Sequence, residues 1–105
     1  MSKHAADAVV EVRHNAEASR FEAEVDGGLC VVNYQLVNGV MRIHHTGVPA
    51  RLEGRGIASQ IVREALAYAE AHGLAVEPWC SFVRNYMRQH PEAQRLLPER
   101  SKLGR

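Results

Sequence analysis

The sequence predicts an α+β domain built on a mixed, mostly antiparallel sheet, with element order β-β-β-β-α-β-α. Three observations carry that prediction. Apolar and polar residues alternate through the first half, as strands with one covered face require. At Ile57 the apolar spacing changes to that of an amphipathic helix. Turn-forming pairs sit between the periodic runs, at Asp26-Gly27-Gly28, Asn38-Gly39 and His72-Gly73. A chain of 105 residues suits one domain, with a core over about 8–97.

The first strand is expected over Ala8–Arg13, where Val10 and Val12 alternate with polar residues and Val9 breaks the pattern. The second is Arg20–Val25, with Phe21, Ala23 and Val25 on one side. Glycine accepts positive φ, so Asp26-Gly27-Gly28 turns the chain. Leu29–Val37 starts apolar on both faces and reads as an inner strand. Asn38-Gly39 is a two-residue hairpin turn into the next strand, Val40–Thr46. Ile57, Ile61, Val62, Ala65, Leu66 and Ala69 then mark one face of a helix that Gly73 stops. Leu74–Trp79 is a short strand, with Trp79 expected in the core. A second helix carries Phe82, Val83, Tyr86, Met87 and His90 on one side and ends at Pro91. Glu92–Leu97 adds one more turn, and Pro98–Arg105 is expected to fray. His72 and His90 fall at helix ends, where an imidazole meets unpaired carbonyls.

Composition narrows the function. Thirteen basic against twelve acidic side chains leave a net charge of +1, which argues against nucleic acid or a membrane surface as partner. The charge is uneven, negative over residues 1–28 and positive over 79–105, which favours an anionic ligand near the C-terminal half. No apolar run approaches the ~20 residues that span a bilayer. Met1–Asp7 lacks the apolar core of a secretory signal. Two cysteines, Cys30 and Cys80, have neither metal-site nor disulfide-framework spacing, so a reduced, cytoplasmic protein without a metal is expected.

The densest signal is Val48-Pro49-Ala50-Arg51-Leu52-Glu53-Gly54-Arg55-Gly56-Ile57-Ala58-Ser59, which leaves a strand and enters a helix. Gly54 and Gly56 allow a tight bend and close approach to a ligand. The first helical turn offers N–H groups without internal partners, at the positive end of the dipole. Glu53 cannot donate to a phosphate and would repel it, so it is expected to point away. No phosphate-loop motif ending in Gly-Lys-Ser or Gly-Lys-Thr exists. A dinucleotide site needs a small residue where Ser59 stands and two mononucleotide halves that a hairpin-linked chain cannot build, although Glu77 lies where a ribose-binding acid would. Two readings stay open on spacing alone: an acyl-coenzyme A site, or glycines that only shape a connection.

These residues carry a family resemblance. Val48-Pro49 with Leu52-Glu53-Gly54-Arg55-Gly56-Ile57-Ala58 resembles the cofactor motif of the GNAT superfamily of acetyltransferases. His45-Thr46-Gly47-Val48-Pro49, His72-Gly73-Leu74, Pro78-Trp79-Cys80-Ser81-Phe82-Val83 and Tyr86-Met87-Arg88-Gln89-His90-Pro91-Glu92 resemble blocks of its short, single-domain branch of N-acetyltransferases. The resemblance covers about residues 29–97 and implies a compact GNAT fold whose sheet splits near acetyl-coenzyme A. It implies that Val48 meets the pantetheine arm, and that the amides of Gly54, Arg55, Gly56, Ile57, Ala58 and Ser59 hold the pyrophosphate. Asn85 and Arg88 would line the cofactor's far side. Cys80 falls where this branch is proposed to carry its catalytic residue, and Tyr86 near the tyrosine that protonates the departing thiolate. The acceptor would be an amine on a small molecule or a protein, at a site either open or completed by a partner, because this chain lacks most of the superfamily's N-terminal helices.

Acetyl transfer to an amine needs a deprotonated amine, a polarised thioester and a proton for the thiolate. Direct attack needs no enzyme nucleophile; a cysteine route passes through an acyl-enzyme. Cys80 stands just before a helix, a place that favours thiolate, while packing is the other reading of it. Cys30, inside an apolar strand, is expected in the core. Adjacent His44 and His45 should face opposite ways, with one of them at the cleft as a base or both as ordinary sheet residues. A coenzyme A-binding or protein-interaction module without catalysis is the alternative to an enzyme.

Overall fold

The computed structural model describes residues 9–99. Five strands form one sheet in sequence order: β1 (Arg13–Asn15), β2 (Arg20–Val25), β3 (Gly28–Val37), β4 (Val40–Gly47) and β5 (Ala75–Pro78). The first four are antiparallel neighbours, and β5 runs parallel to β4. A parallel neighbour needs a crossover, which α1 (Ile57–Ala71) supplies. α2 (Ser81–Gln89) follows β5, and short 3-10 turns cover Ala50–Leu52 and Pro91–Leu96. The expected order and mixed sheet are those observed.

The first strand lies later than its alternation suggests. Only Arg13 is shared between Ala8–Arg13 and β1, which pairs Arg13 with Glu22, His14 with Phe21 and Asn15 with Arg20. Residues 10–12 instead lie against the helix: the Val10 amide donates to Gln60 Oε1 of α1 at 2.9 Å, and Val10 and Val12 pack on the core. Alternating apolar residues serve a chain laid along a helix as well as one in a sheet. Ala8, Met1–Asp7 and the end of the tail from Arg100 lie outside the described residues.

The core occupies one face of the sheet. Phe21, Ala23, Cys30, Val32, Tyr34, Met41, Ile43 and Val76 meet the whole predicted stripe of α1, with Val83 and Met87 of α2. β3 is central by position, yet its outward residue Leu29 is exposed, because the helices cover only the other face. Ionic clusters cover parts of that outer face. Glu22, 3% exposed, is held by Arg20 Nε at 2.7 Å and by Arg13. Glu77 accepts from Arg42 Nε at 3.1 Å and from Trp79 Nε1 at 3.0 Å, and Arg42 stacks over the indole. Trp79 is therefore outside the core, 55% exposed. Hydrogen bonds from Arg20 and then Arg13 hold the Glu22 carboxyl down at about 2.

One polar contact inside the aromatic side of the core has no signal in the sequence. His14 of β1 stacks on Phe21 and meets the Tyr34 hydroxyl at 2.6 Å, joining β1 to β3 across β2. Burial, then the neighbouring His72, pushes the His14 imidazole below its ordinary range. At the helix ends, the Nδ1 groups of His72 and His90 donate to the carbonyls of Tyr68 and Tyr86 at 2.9 and 2.7 Å, as expected.

Candidate functional site

The sheet opens where β4 and β5 part. Their register runs from Val40–Ala75 to Ile43–Pro78, and the Trp79 amide adds a bond to the Ile43 carbonyl at 2.8 Å. Beyond it β4 continues against β3 as far as Gly47, while the other chain turns at Cys80 into α2. A cleft of about 350 Å³ lies at this divergence. Thr46 and Val48 form one wall, Phe82 of α2 contributes another side, and the floor is the loop from Leu52 into the first turn of α1.

The loop has the geometry that its glycines permit. Gly54 and Gly56 have φ of +84° and +76°, in the left-handed region. A Cβ at either would meet nothing within 4 Å, so open space faces both. Gly56 caps α1 without a side-chain bond, and no acidic residue occupies the first turn. The first intrahelical bond there runs from the Gln60 amide to the Gly56 carbonyl at 3.3 Å, so the amides of Ile57, Ala58 and Ser59 precede it. Those donors and the helix dipole favour an anion. A diphosphate fits this cradle in charge and in space.

The loop is braced from below by the β2–β3 turn. Leu52 is fully buried, a side chain whose burial contributes about 1.5–3 kcal/mol. A Cβ on Gly28 would come within 2.9 Å of Leu52 Cδ1 and 3.1 Å of Pro49 Cγ, so any larger residue would push these side chains aside where turn and loop close together. Arg51 Nη2 donates to the Asp26 carbonyl at 2.7 Å, and Arg55 Nη1 to the Asp26 carboxylate at 3.0 Å. Asp26-Gly27-Gly28 is readable in sequence as a turn, but its second task appears only when residues far apart in the chain meet.

The structure gathers Val48, Gly54, Gly56, Ile57, Ala58 and Ser59 at one cleft. Glu53 is also among the residues at the cleft, and it is exposed. Arg55 reaches down to Asp26. Arg88 donates to Asn85 Oδ1 at 2.7 Å and lines a different hollow with Pro78, Met87 and Leu97. Tyr86 stacks on His90 at 4.0 Å and lines a third hollow with Arg63, Glu70 and Ala93. Burial raises its phenol above the ordinary range, which keeps it protonated. Cys80 is half-buried and caps α2, two residues before Phe82. Cys30 is fully buried, and burial pushes its thiol up.

The histidine pair departs from simple alternation. Tyr34 pairs with Ile43 and Asn33 with His45, leaving His44 as the extra residue of a bulge. Both imidazoles are exposed, and the cleft-lining residue of this stretch is Thr46.

A split five-stranded sheet with a glycine-built anion cradle at the start of its crossover helix defines the class of acyl-group transferases with the GNAT fold. Residues 20–96, well over half of the chain, match the GCN5-related N-acetyltransferase family, and the chain belongs to that family. It is similar to Protein NATD1 of Gallus gallus and of Mus musculus, 27% identical to each over 90 residues that span 83% of this chain and 82% of theirs. Its fold is that of a solution structure assigned as a GCN5-like N-acetyltransferase from Staphylococcus aureus. That chain matches with a TM-score of 0.69 and 22% identity, over 87% of this chain and 90% of its own.

Proposed function

We propose that this domain takes acetyl-coenzyme A as its acyl donor and transfers the acetyl group to an amine on a small molecule or a protein. The observation that carries the reading is the juxtaposition of Gly54 and Gly56, open above their backbone, with the uncapped start of α1 where the sheet splits. In it the Gly54–Ser59 amides hold the diphosphate, and Val48 offers backbone groups to the pantetheine arm. The donor supplies an activated thioester. In direct transfer the amine nitrogen forms a bond to the carbonyl carbon and gives up a proton, the carbon–sulfur bond breaks, and the thiolate takes up a proton.

Cys80 is the side chain assigned to the chemistry. As a thiolate it would accept the acetyl group and release the coenzyme A thiol, and the amine would then attack the resulting thioester. Tyr86 is the second candidate, as proton donor to the thiolate, a role that requires it to leave its stack on His90. The two unpaired thiols fit a reducing compartment such as the cytoplasm.

Calorimetry with acetyl-coenzyme A and coenzyme A, followed by a thiol-release assay over a panel of amines, tests the reading. Binding with turnover is expected. Binding without turnover would mark a coenzyme A-binding module, and absence of binding overturns the cleft assignment.

A further inference from the structure

Two arginines of the cofactor loop reach the same residue in different ways. Arg51 donates to the main-chain carbonyl of Asp26, whose position the backbone sets through consecutive positive φ values at Asp26 and Gly27. Arg55 instead meets the Asp26 side chain, and this pair lies in solvent, the guanidinium 35% and the carboxylate 62% exposed. Exposed ion pairs are weak and readily exchanged. Arg55 also stands between Gly54 and Gly56, the two residues that shape the cradle. A phosphate offers a guanidinium stronger, charge-assisted and often bidentate bonds.

We infer that Asp26 and Arg55 form an exchangeable latch: the Arg55 guanidinium rests on the Asp26 carboxylate in the free protein and passes to a phosphate of the co-substrate when it binds. The inference rests on the coenzyme A reading of the cleft. Arg51 remains on the Asp26 carbonyl and keeps the loop seated while Arg55 moves. The Asp26 carboxylate therefore competes with the ligand for one cation and lowers affinity. It is a positioning residue, acting through Arg55.

The test is a double-mutant cycle, with coenzyme A titrated calorimetrically into the wild type, Asp26→Asn, Arg55→Gln and the double variant. Asp26→Asn keeps the carbonyl that Arg51 uses, and thermal unfolding checks each fold. Asp26→Asn is expected to bind coenzyme A more tightly, by up to about fivefold, the span of a weak exposed pair. Arg55→Gln is expected to bind at least about fivefold more weakly. Most of the Asp26→Asn gain should vanish once Arg55 is gone. Weaker or unchanged binding by Asp26→Asn overturns the latch, as does an equal gain in both backgrounds, which would be a general charge effect. Those outcomes leave the cleft reading intact, whereas a wild type that fails to bind coenzyme A overturns the cleft reading and the latch together.

Discussion

Gly56→Ala separates the backbone's demand at the cradle from the ligand's. Gly56 has φ of +76° and Gly39, in the β3–β4 hairpin, has +79°; a Cβ at either meets nothing within 4 Å. The two positions thus impose the same conformational strain, and only one faces the cleft. Forcing alanine into the left-handed region costs about 1–2 kcal/mol. The lost freedom of the unfolded chain returns about 0.4–1 kcal/mol of that. Both variants should therefore lose roughly 1 kcal/mol, a fall of about 4–8 °C in Tm for a domain near this size. Their ligand behaviour should differ. Gly39→Ala leaves coenzyme A affinity unchanged, whereas Gly56→Ala puts a methyl group into the space assigned to the diphosphate. Crowding of that kind costs about 1–3 kcal/mol, so affinity should fall about fivefold or more. Thermal unfolding and calorimetry on the two purified variants measure both quantities. A Gly56→Ala protein that loses stability as Gly39→Ala does, yet binds coenzyme A like the wild type, refutes the cradle.

Three other changes have defined outcomes. Glu53→Gln removes a negative charge from the cleft wall and should tighten coenzyme A binding by about two- to threefold at low ionic strength, a gain that salt erases; titrations at two salt concentrations check it. Cys80→Ala should abolish thiol release without weakening coenzyme A binding, and mass spectrometry of the wild type should find acetyl on Cys80; near-normal turnover by the variant would exclude the acyl-enzyme route. Glu22, held at about 2 in the folded protein, stabilises the fold fully above its unfolded range near 4.5 and loses that contribution as pH falls towards 2. Glu22→Gln should lower Tm by a few degrees at pH 7, and the gap to the wild type should close through that acid range.

Local patterns were legible and long-range encounters were not. The α1 stripe, the β3–β4 turn at Asn38-Gly39 and the stop at Gly73 follow from short-range rules, and each stands where those rules put it. β1 was misplaced because Val10 and Val12 present the same alternation to a helix as to a neighbouring strand. Trp79 was misjudged because which face of β5 meets helices depends on its register with β4, where Glu77 lies beside Arg42 on the outer side. In the site, the glycine run marked the bend at Gly54 and Gly56, while Val48 was implied only by the family resemblance; all three line one cleft. Tyr86 shares a helical stripe with Phe82 but lies one turn on, about 6 Å along the axis, where it meets α1 and the C-terminal turn instead of the cleft. The seating of Arg51 and Arg55 on Asp26 joins residues 25 and 29 positions apart, beyond the reach of any periodicity.

The outer sheet face, with Arg13 and Arg20 over Glu22 and Arg42 over Glu77, gives the molecule two sides that answer to different properties of the surrounding fluid. Glu22 and Glu77 are themselves buried, so dissolved electrolyte screens these pairs only weakly, and it is strong acid that unfastens Glu22. Strong acid therefore slackens the guanidinium roof, while cooling weakens the oily underside.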